Sequence, residues 1–285
     1  MRPLAQAVVL GALHGPTELL PISSSGHTEL IPWLLGWGRE SLAPEQRKSF
    51  EVALHAGTAA GLLVALRSEV SDAIEQASPR LALLIGLATL PPAVVGYGLE
   101  GPIERRLGTP ASIAAGLILG GAAMAWADRS PQDRIADEAG ALDAVWLGVG
   151  QACALIPGVS RNGATLTAAR LRRFRRRDAS RLSWQVALPV IAGATALRAI
   201  RLRRHGLPAG AAGPFAAGAV ASLVSTLASA RAIGAVDRDG SLLPFALYRV
   251  TLGSVALHRA WRKRSISGAG PARPAPEPHA SQCLG

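Results

Sequence analysis

The sequence predicts an all-α, polytopic membrane protein, and three observations support this class. The composition is 49% hydrophobic and only 17% charged, which is little charge for a soluble domain. Several apolar stretches approach the roughly 17–25 residues that a helix needs to cross a bilayer. Related polar motifs also recur in the two halves of the chain, as in membrane proteins built from inverted repeats.

Four apolar stretches are clear and two are weaker, so about six transmembrane helices are expected. A soluble protein with buried helices is the alternative, but 31 glycines suit close helix packing in lipid better. We expect one membrane domain over residues 1–264 and a disordered tail over 265–285. The clear stretches are Phe50–Leu66, Leu81–Leu99, Ala111–Ala127 and Leu182–Ile200, and the weaker ones are Ala211–Ala230 and Leu242–Leu257.

The formal net charge of +11 would suit a nucleic-acid-binding protein, but the distribution of the charge does not. Basic residues cluster at the ends of apolar segments, where they meet anionic lipid headgroups. Membrane lipids are therefore expected partners, and nucleic acid is not. The two cysteines have no spacing that indicates a disulfide or a zinc site. The basic clusters are Arg170–Arg181, Arg198–Arg204 and Arg259–Arg264.

Two pairs of segments indicate an internal duplication. Ile22–Gly26 resembles Val159–Gly163, and Ser49–Leu54 resembles Ser183–Leu188, in the same order along the chain. Three clear spans lie between the two Ser-containing motifs, and this odd number predicts that the motifs enter the membrane from opposite sides. The repeats are expected over about 1–100 and about 111–264.

The two motifs are predicted to lie in re-entrant hairpins, each a helix, a loop and a second helix. The apolar runs beside each motif are too short to cross the bilayer, and irregular backbone at membrane depth needs protein or a watery cavity around it. Two hairpins entering from opposite faces would meet near mid-depth. Ser24 of the first motif and Arg161 of the second should then lie close together.

The first motif combines a carboxylate, an imidazole and a run of hydroxyls. His14 and Glu18 are four residues apart and share one face of a helix that Pro21 should end. The next residues, Ser23–Ser25, can cap the following helix, whose N-terminal amides favour an anion such as phosphate. Such serines are also ordinary helix caps, and a lone membrane glutamate can be a structural hydrogen-bonding group.

The second motif has the same plan with one cation added. Arg161 lies between Ser160 and Asn162, with Thr165 one turn further on. A guanidinium near the bilayer centre is costly unless it is paired, which makes it a functional candidate, and its planar fork suits a diphosphate. The alternative is an arginine that extends to the membrane surface.

The segments Leu20–His27 and Pro157–Thr165 resemble the two signature motifs of the undecaprenyl-diphosphatase (bacitracin-resistance) family. The resemblance covers nearly the whole chain up to about residue 265. It implies a divalent-cation-dependent hydrolase of the bacterial cell membrane that releases phosphate from undecaprenyl diphosphate and recycles the lipid carrier for cell-wall synthesis. By motif position, the resemblance implies that the functional Glu, Ser, His and Arg of the family correspond to Glu18, Ser24, His27 and Arg161.

The expected site can be extended from these residues. Mg²⁺ or Ca²⁺ is expected near Glu18, with His14 as a second candidate ligand. This chain departs from the family pattern at two positions. His14 stands where the family usually has Glu or Gln, and His55 stands where it usually has Gln. The candidate substrate-binding residues are Ser23, Ser25, Ser160, Asn162 and Thr165.

Several alternatives remain open from the sequence. The nucleophile can be Ser24, His27 or an activated water, with His27 as a candidate base for Ser24. A lipid-carrier transporter that binds the headgroup without cleaving it is the second function, and a degenerate structural paralogue is the third. A homodimer is one assembly that the sequence allows.

Overall fold

The computed structural model describes residues 3–38, 44–65, 78–205, 210–236 and 240–267, together with 67, 71 and 75. Over these residues the chain is helical, and its only β-pairing is a single bridge between Arg134 and Phe174. The all-α class is therefore confirmed. The helices are α1 (Pro3–Leu19), α2 (Ser24–Leu35), α3 (Pro44–Ala65), α4 (Pro79–Leu107), α5 (Pro110–Ala127), α6 (Ala141–Cys153), α7 (Arg161–Leu171), α8 (Arg176–His205), α9 (Ala212–Val236) and α10 (Leu243–Ser267), with a 3₁₀ turn at Ala136–Glu138.

Within the described residues, three helices are long and apolar enough to cross a membrane, namely α4, α5 and α9 over Pro79–Leu99, Pro110–Ala127 and Ala212–Ala230. Large apolar side chains on α4 and α9, such as Leu90 and Val220, are exposed, as lipid-facing residues would be. This differs from the sequence prediction, in which Leu182–Ile200 is a clear span and Ala211–Ala230 a weaker one. Polar residues including Ser183 and Gln185 interrupt the apolar face of α8. The total of six spans stays a prediction.

The two halves of the chain pack in the same pattern. Helix α1 of the first half pairs with α9, and α6 of the second half pairs with α4 in the corresponding way. Likewise, α3 packs on α9 and α8 packs on α4. The last helices of the two halves, α5 and α10, pack on each other. This matching places α5 at the end of the first half, whereas the sequence analysis assigns it to the second. The opposite membrane orientation of the halves stays a prediction. Helix α10 continues to Ser267, so the first residues assigned to the tail are helical, and 268–285 lie outside the described residues.

Small residues bring α1 and α9 into backbone contact. A Cβ added at Gly15 would lie 2.3 Å from Ser225 Oγ and 2.4 Å from Thr226 N, and one at Gly11 would lie 2.3 Å from Gly218 O. Such close approach is typical of helix pairs in lipid, where small residues let van der Waals packing drive association. The contact fixes the position of α1, which carries Glu18.

A buried carboxylate joins the ends of three long helices. Asp128 follows α5, accepts two hydrogen bonds from Arg176 at the start of α8, and accepts two more from Ser241 Oγ and Leu242 N at the start of α10. Burial alone would raise the pKa of this carboxyl, but these hydrogen bonds outweigh burial and lower the pKa below its ordinary value of 3.8. The charged form of Asp128 therefore stabilises the fold.

Acid should remove this stabilisation. Because the folded-state pKa lies below the unfolded value, the contribution of Asp128 is complete above about pH 4 and is lost as the pH falls through the folded-state pKa. We expect Asp128→Asn to lower the melting temperature at pH 7, with a difference from the parent that shrinks below pH 4. Thermal unfolding in detergent between pH 3 and 7 measures this. Asp137→Asn, at an exposed carboxylate, is the control, and a difference that does not change with pH would contradict the assignment.

Candidate active site

Two serines with left-handed backbone begin α2 and α7. Ser23 has φ of 77° and Ser160 has φ of 68°, and their hydroxyls accept hydrogen bonds from Gly26 N at 3.3 Å and Gly163 N at 3.2 Å. A non-glycine residue in this conformation costs about 1–3 kcal/mol and tends to occur at functional sites. The same unusual cap thus occurs at both motifs, and each motif joins two short helices as expected.

Glu18, near the end of α1, connects the two motifs. Ser24 donates a hydrogen bond to Glu18 Oε2 at 2.6 Å, and Arg161 Nη2 donates one to Oε1 at 3.3 Å. Helix α1 ends at Leu19, shortly before Pro21, so the chain can turn and return Ser24 to the carboxylate. Ser24 and Arg161 therefore lie close together as predicted, bonded to the two oxygens of one carboxylate. The re-entrant form of the hairpins and their depth in the membrane stay predictions. A carboxylate at this distance from a serine hydroxyl can accept its proton.

One nitrogen of the Arg161 guanidinium has a hydrogen-bond partner among the described residues, and the other two have none. The guanidinium pairs with Glu18 and lies 5.5 Å from the centre of the Trp184 ring. Among the described residues, Nε and Nη1 have no hydrogen-bond partner, although both are buried. A buried donor without an acceptor is costly, so these two nitrogens are suited to an anionic ligand.

A chain of hydrogen bonds fixes the second motif to the first. Asn162 Nδ2 donates to Leu19 O at 2.7 Å, and Ser183 Oγ of α8 donates to Asn162 Oδ1 at 3.0 Å. Thr165 Oγ1 lies 2.5 Å from Ser183 Oγ and is fully buried. Asn162 and Thr165, predicted to bind substrate, therefore lie in a network that positions the loop, and only Asn162 also faces the cavity described below.

His27 is held away from the Ser24–Glu18 pair. The Nδ1 atom of His27 lies 2.7 Å from Ser23 O, and because a carbonyl only accepts, Nδ1 carries the proton. The Nε2 atom lies 2.6 Å from the Tyr248 hydroxyl, which must then donate to it. Both nitrogens are thus occupied. The Ser24 hydroxyl is bonded to Glu18 and not to His27. The structure therefore does not place His27 as the base for Ser24.

The sequence-predicted residues surround a cavity of about 610 Å³. Its polar part includes Glu18, Ser24 and Arg161. Its other walls carry apolar groups from α5, α8 and the loop after α6, so the lining has both polar and apolar parts. Three of the predicted residues, His14, His27 and Thr165, do not line it. The remaining lining residues that bear on the argument are Ser23, Ser25, Glu29, Arg47, Glu51, His55, Arg105, Ile113, Leu155, Ser160, Asn162, Val190 and Ile191.

Three possible metal ligands meet beside this cavity. One donor atom each from His14, Glu18 and His55 lies within 4.8 Å of the other two. His14 is buried, and its Nε2 has no hydrogen-bond partner among the described residues. An unpartnered buried nitrogen beside a carboxylate and a second imidazole fits a divalent cation. His14 and Glu18 thus lie together as expected, and His55 joins them as a candidate ligand that the sequence analysis noted only as a departure from the family.

Arg249 of α10 is a site residue that the sequence analysis missed. It is fully buried and donates to Val159 O at 2.6 Å, to Gly158 O at 3.2 Å and to Pro21 O at 3.5 Å. It therefore holds the loops of both motifs together, without a carboxylate partner among the described residues. An arginine within the apolar stretch Leu242–Leu257 was the available signal.

Removing this arginine should loosen both loops. Arg249→Met would leave the carbonyls of Pro21, Gly158 and Val159 without their donor, at about 1–3 kcal/mol for each unsatisfied group. We expect a lower melting temperature and a loss of turnover of about 10–100-fold, because small misplacements of reacting groups are costly. Gly120→Ala should act similarly, since its Cβ would lie 2.2 Å from Arg249 Nη2. Parental turnover in both variants would contradict the role of Arg249.

Comparisons with known proteins place the sequence of this chain in a family. The family model described as bacitracin resistance protein BacA matches residues 7–255. The undecaprenyl-diphosphatase of Geobacter sulfurreducens is 40% identical over 89% of this chain and 97% of the relative. Those of Geobacter metallireducens and Chromohalobacter salexigens are 40% and 38% identical, over 90% and 88% of this chain and 98% and 96% of the relatives. The chain belongs to the bacitracin resistance protein BacA family.

Proposed function

We propose that this chain hydrolyses undecaprenyl diphosphate to undecaprenyl monophosphate and inorganic phosphate in the bacterial cell membrane. The relatives named above carry the name of this activity. One observation carries the proposal for this chain: two unpartnered nitrogens of Arg161 lie next to a serine whose hydroxyl is bonded to a carboxylate. An anion-binding fork beside an activated hydroxyl is what cleavage of a diphosphate requires.

In this proposal, polar groups of the cavity lining hold the headgroup of the substrate and apolar groups hold the start of its tail. The diphosphate lies at the polar part of the lining, with Arg161 Nε and Nη1 as donors and the hydroxyls of Ser23, Ser25 and Ser160 around it. The first prenyl units lie along the apolar wall that includes Val190 and Ile191, and the rest of the tail extends into the membrane. Arg105, which also lines the cavity, adds a second positive charge near the headgroup.

In the proposed reaction, Ser24 is the nucleophile and Glu18 accepts its proton. Ser24 Oγ attacks the terminal phosphorus, the bond to the bridging oxygen breaks, and the lipid monophosphate leaves with the bonding electrons. Water then attacks the phosphorus of the phosphoserine. As the bond to Ser24 Oγ breaks, Glu18 returns its proton to that oxygen, and the protons of the water stay with the released phosphate, so the Ser24 hydroxyl and the Glu18 carboxylate are both restored. Attack by His27 would first require its Nε2 to break the hydrogen bond with Tyr248.

A divalent cation belongs to this proposal, and Mg²⁺ or Ca²⁺ is the ion that the family resemblance implies. Glu18, His14 and His55 are the residues that would hold it. Bound there, it would neutralise negative charge on the diphosphate and on the leaving group. Arg161 supplies the same kind of stabilisation from the opposite motif.

Phosphate release by the purified protein in detergent tests the function. We expect phosphate and undecaprenyl monophosphate to form in equal amounts from undecaprenyl diphosphate, and we expect Ser24→Ala to lower the formation of both to a small residual rate. A folded protein that moves the lipid across vesicles without releasing phosphate would instead establish the transporter. A folded protein with neither activity would establish the degenerate paralogue. A homodimer in the membrane stays a prediction.

A further inference from the structure

We propose that the cluster of His14, Glu18 and His55 binds a borderline first-row transition ion, represented by Zn²⁺, in preference to Mg²⁺ or Ca²⁺. This inference rests on the proposed function only for its place in the reaction, since the site itself is defined by its donor atoms. The cluster lies at the cavity, with Glu18 and His55 in its wall and His14 buried behind them.

The protonation of His14 follows from its hydrogen-bond network. Ser222 Oγ donates to Leu54 O at 3.0 Å, because a carbonyl only accepts. Thr58 Oγ1 lies 2.6 Å from Ser222 Oγ, so the single proton of Thr58 must go to that oxygen. The Thr58 oxygen then accepts from His14 Nδ1, which lies 2.7 Å away. His14 Nε2 therefore carries a lone pair, and it is the buried nitrogen without a partner.

His55 is oriented in a matching way. Its Nδ1 lies 2.9 Å from Glu51 O one turn earlier in α3, so Nδ1 carries the proton and Nε2 carries the lone pair. The two imidazole rings meet edge to face, with centres 4.6 Å apart. Ligand histidines in metal sites commonly donate their other nitrogen to a backbone carbonyl or a side-chain oxygen, which fixes the ring and raises its basicity. Both histidines have this arrangement.

The donor set decides the class of ion. Two neutral imidazole nitrogens suit Zn²⁺ and similar ions, whereas Mg²⁺ and Ca²⁺ prefer several oxygen ligands. The only carboxylate in the cluster, Glu18, is shared with Arg161, so little negative charge is left to hold a hard ion. Two histidines and a glutamate are a known ligand set for catalytic zinc.

Metal binding can be measured without substrate. Tag-free protein in detergent, stripped with chelator, is titrated separately with Zn²⁺, Mg²⁺ and Ca²⁺ by calorimetry. We expect one Zn²⁺ per chain, bound at least about a hundredfold more tightly than the other two ions. His14→Gln and His55→Gln should each weaken Zn²⁺ binding by at least about a hundredfold, since even outer-shell changes cost about 10–100-fold.

Three further variants make the test specific. Thr58→Val removes the oxygen that accepts from His14 Nδ1 but leaves every ligand, so it should weaken Zn²⁺ binding about 10–100-fold. His258→Gln, at an exposed histidine on α10, is the matched control and should bind Zn²⁺ like the parent. His14→Glu should shift the preference towards Mg²⁺ and Ca²⁺, because it replaces an imidazole by a carboxylate. Circular dichroism and gel filtration confirm folding.

The outcomes separate this proposal from the proposed function. Tighter binding of Mg²⁺ or Ca²⁺ than of Zn²⁺ by the parent would overturn the proposal even if the protein releases phosphate. Zn²⁺ binding that both His14→Gln and His55→Gln leave unchanged would also overturn it. A protein that binds Zn²⁺ as expected but cleaves no diphosphate would support the site and contradict the function.

Discussion

Glu18→Gln is expected to reduce phosphate release by about 10²–10⁴-fold, the range over which a positioned base contributes to catalysis. The amide keeps the size of the side chain but cannot accept the proton of Ser24, whose hydroxyl lies 2.6 Å from Glu18 Oε2 in the parent. It also removes the negative charge that pairs with Arg161. Initial rates with saturating undecaprenyl diphosphate, measured in detergent, give the change.

Loss of turnover could also follow from a destabilised site, because Arg161 would lose its carboxylate, and breaking a buried ion pair costs about 3–5 kcal/mol. A double-mutant cycle separates the two effects. If Glu18 acts through Ser24, the combined variant Glu18→Gln and Ser24→Ala should be no slower than Ser24→Ala alone. Independent, multiplicative losses would contradict the proposed proton transfer, and melting temperatures show whether each variant stays folded.

Much of the architecture was accessible from the sequence because it depends on local patterns. Apolar stretches of the right length predicted the long helices, and Pro21 with the serine run predicted the turn between α1 and α2. The proximity of Ser24 to Arg161 could be inferred because the two motifs resemble each other and were expected to meet, but the carboxylate that joins them, Glu18, was not predicted as their partner. These features need only the spacing of residues along the chain.

The remaining features depend on contacts between distant segments. His55 joins His14 and Glu18 only because α3 packs beside α1, and no spacing within one motif reveals that. Arg249 reaches both loops from α10, ninety residues after Val159 of the second motif. His27 is three residues after Ser24, yet the turn of α2 directs its ring to Tyr248. The short sequence separation of Ser24 and His27 therefore suggested a contact that does not form, because the two side chains point in different directions from α2.

The Arg161→Lys variant should lose about 10²–10³ in turnover, the loss typical of removing one group that stabilises developing charge. Lysine keeps the positive charge, so it can still pair with Glu18. It lacks the planar fork, and with it the two nitrogens, Nε and Nη1, that have no partner among the described residues and that we assign to the diphosphate. It also loses the flat face that lies over Trp184.

The kinetics should show where the fork acts. Because the charge on the bridging oxygen and on the terminal phosphate develops as the bond breaks, we expect kcat to fall more than KM rises. Arg181→Lys makes the same chemical change at an exposed ion pair with Asp137 and should leave both constants near their parental values. A circular dichroism spectrum and a melting temperature close to the parent establish that Arg161→Lys is folded. Parental kcat in that folded variant would mean that Arg161 acts only as a charge, pairing with Glu18 and holding the two motifs together, and that the diphosphate is bound by other groups such as Arg105.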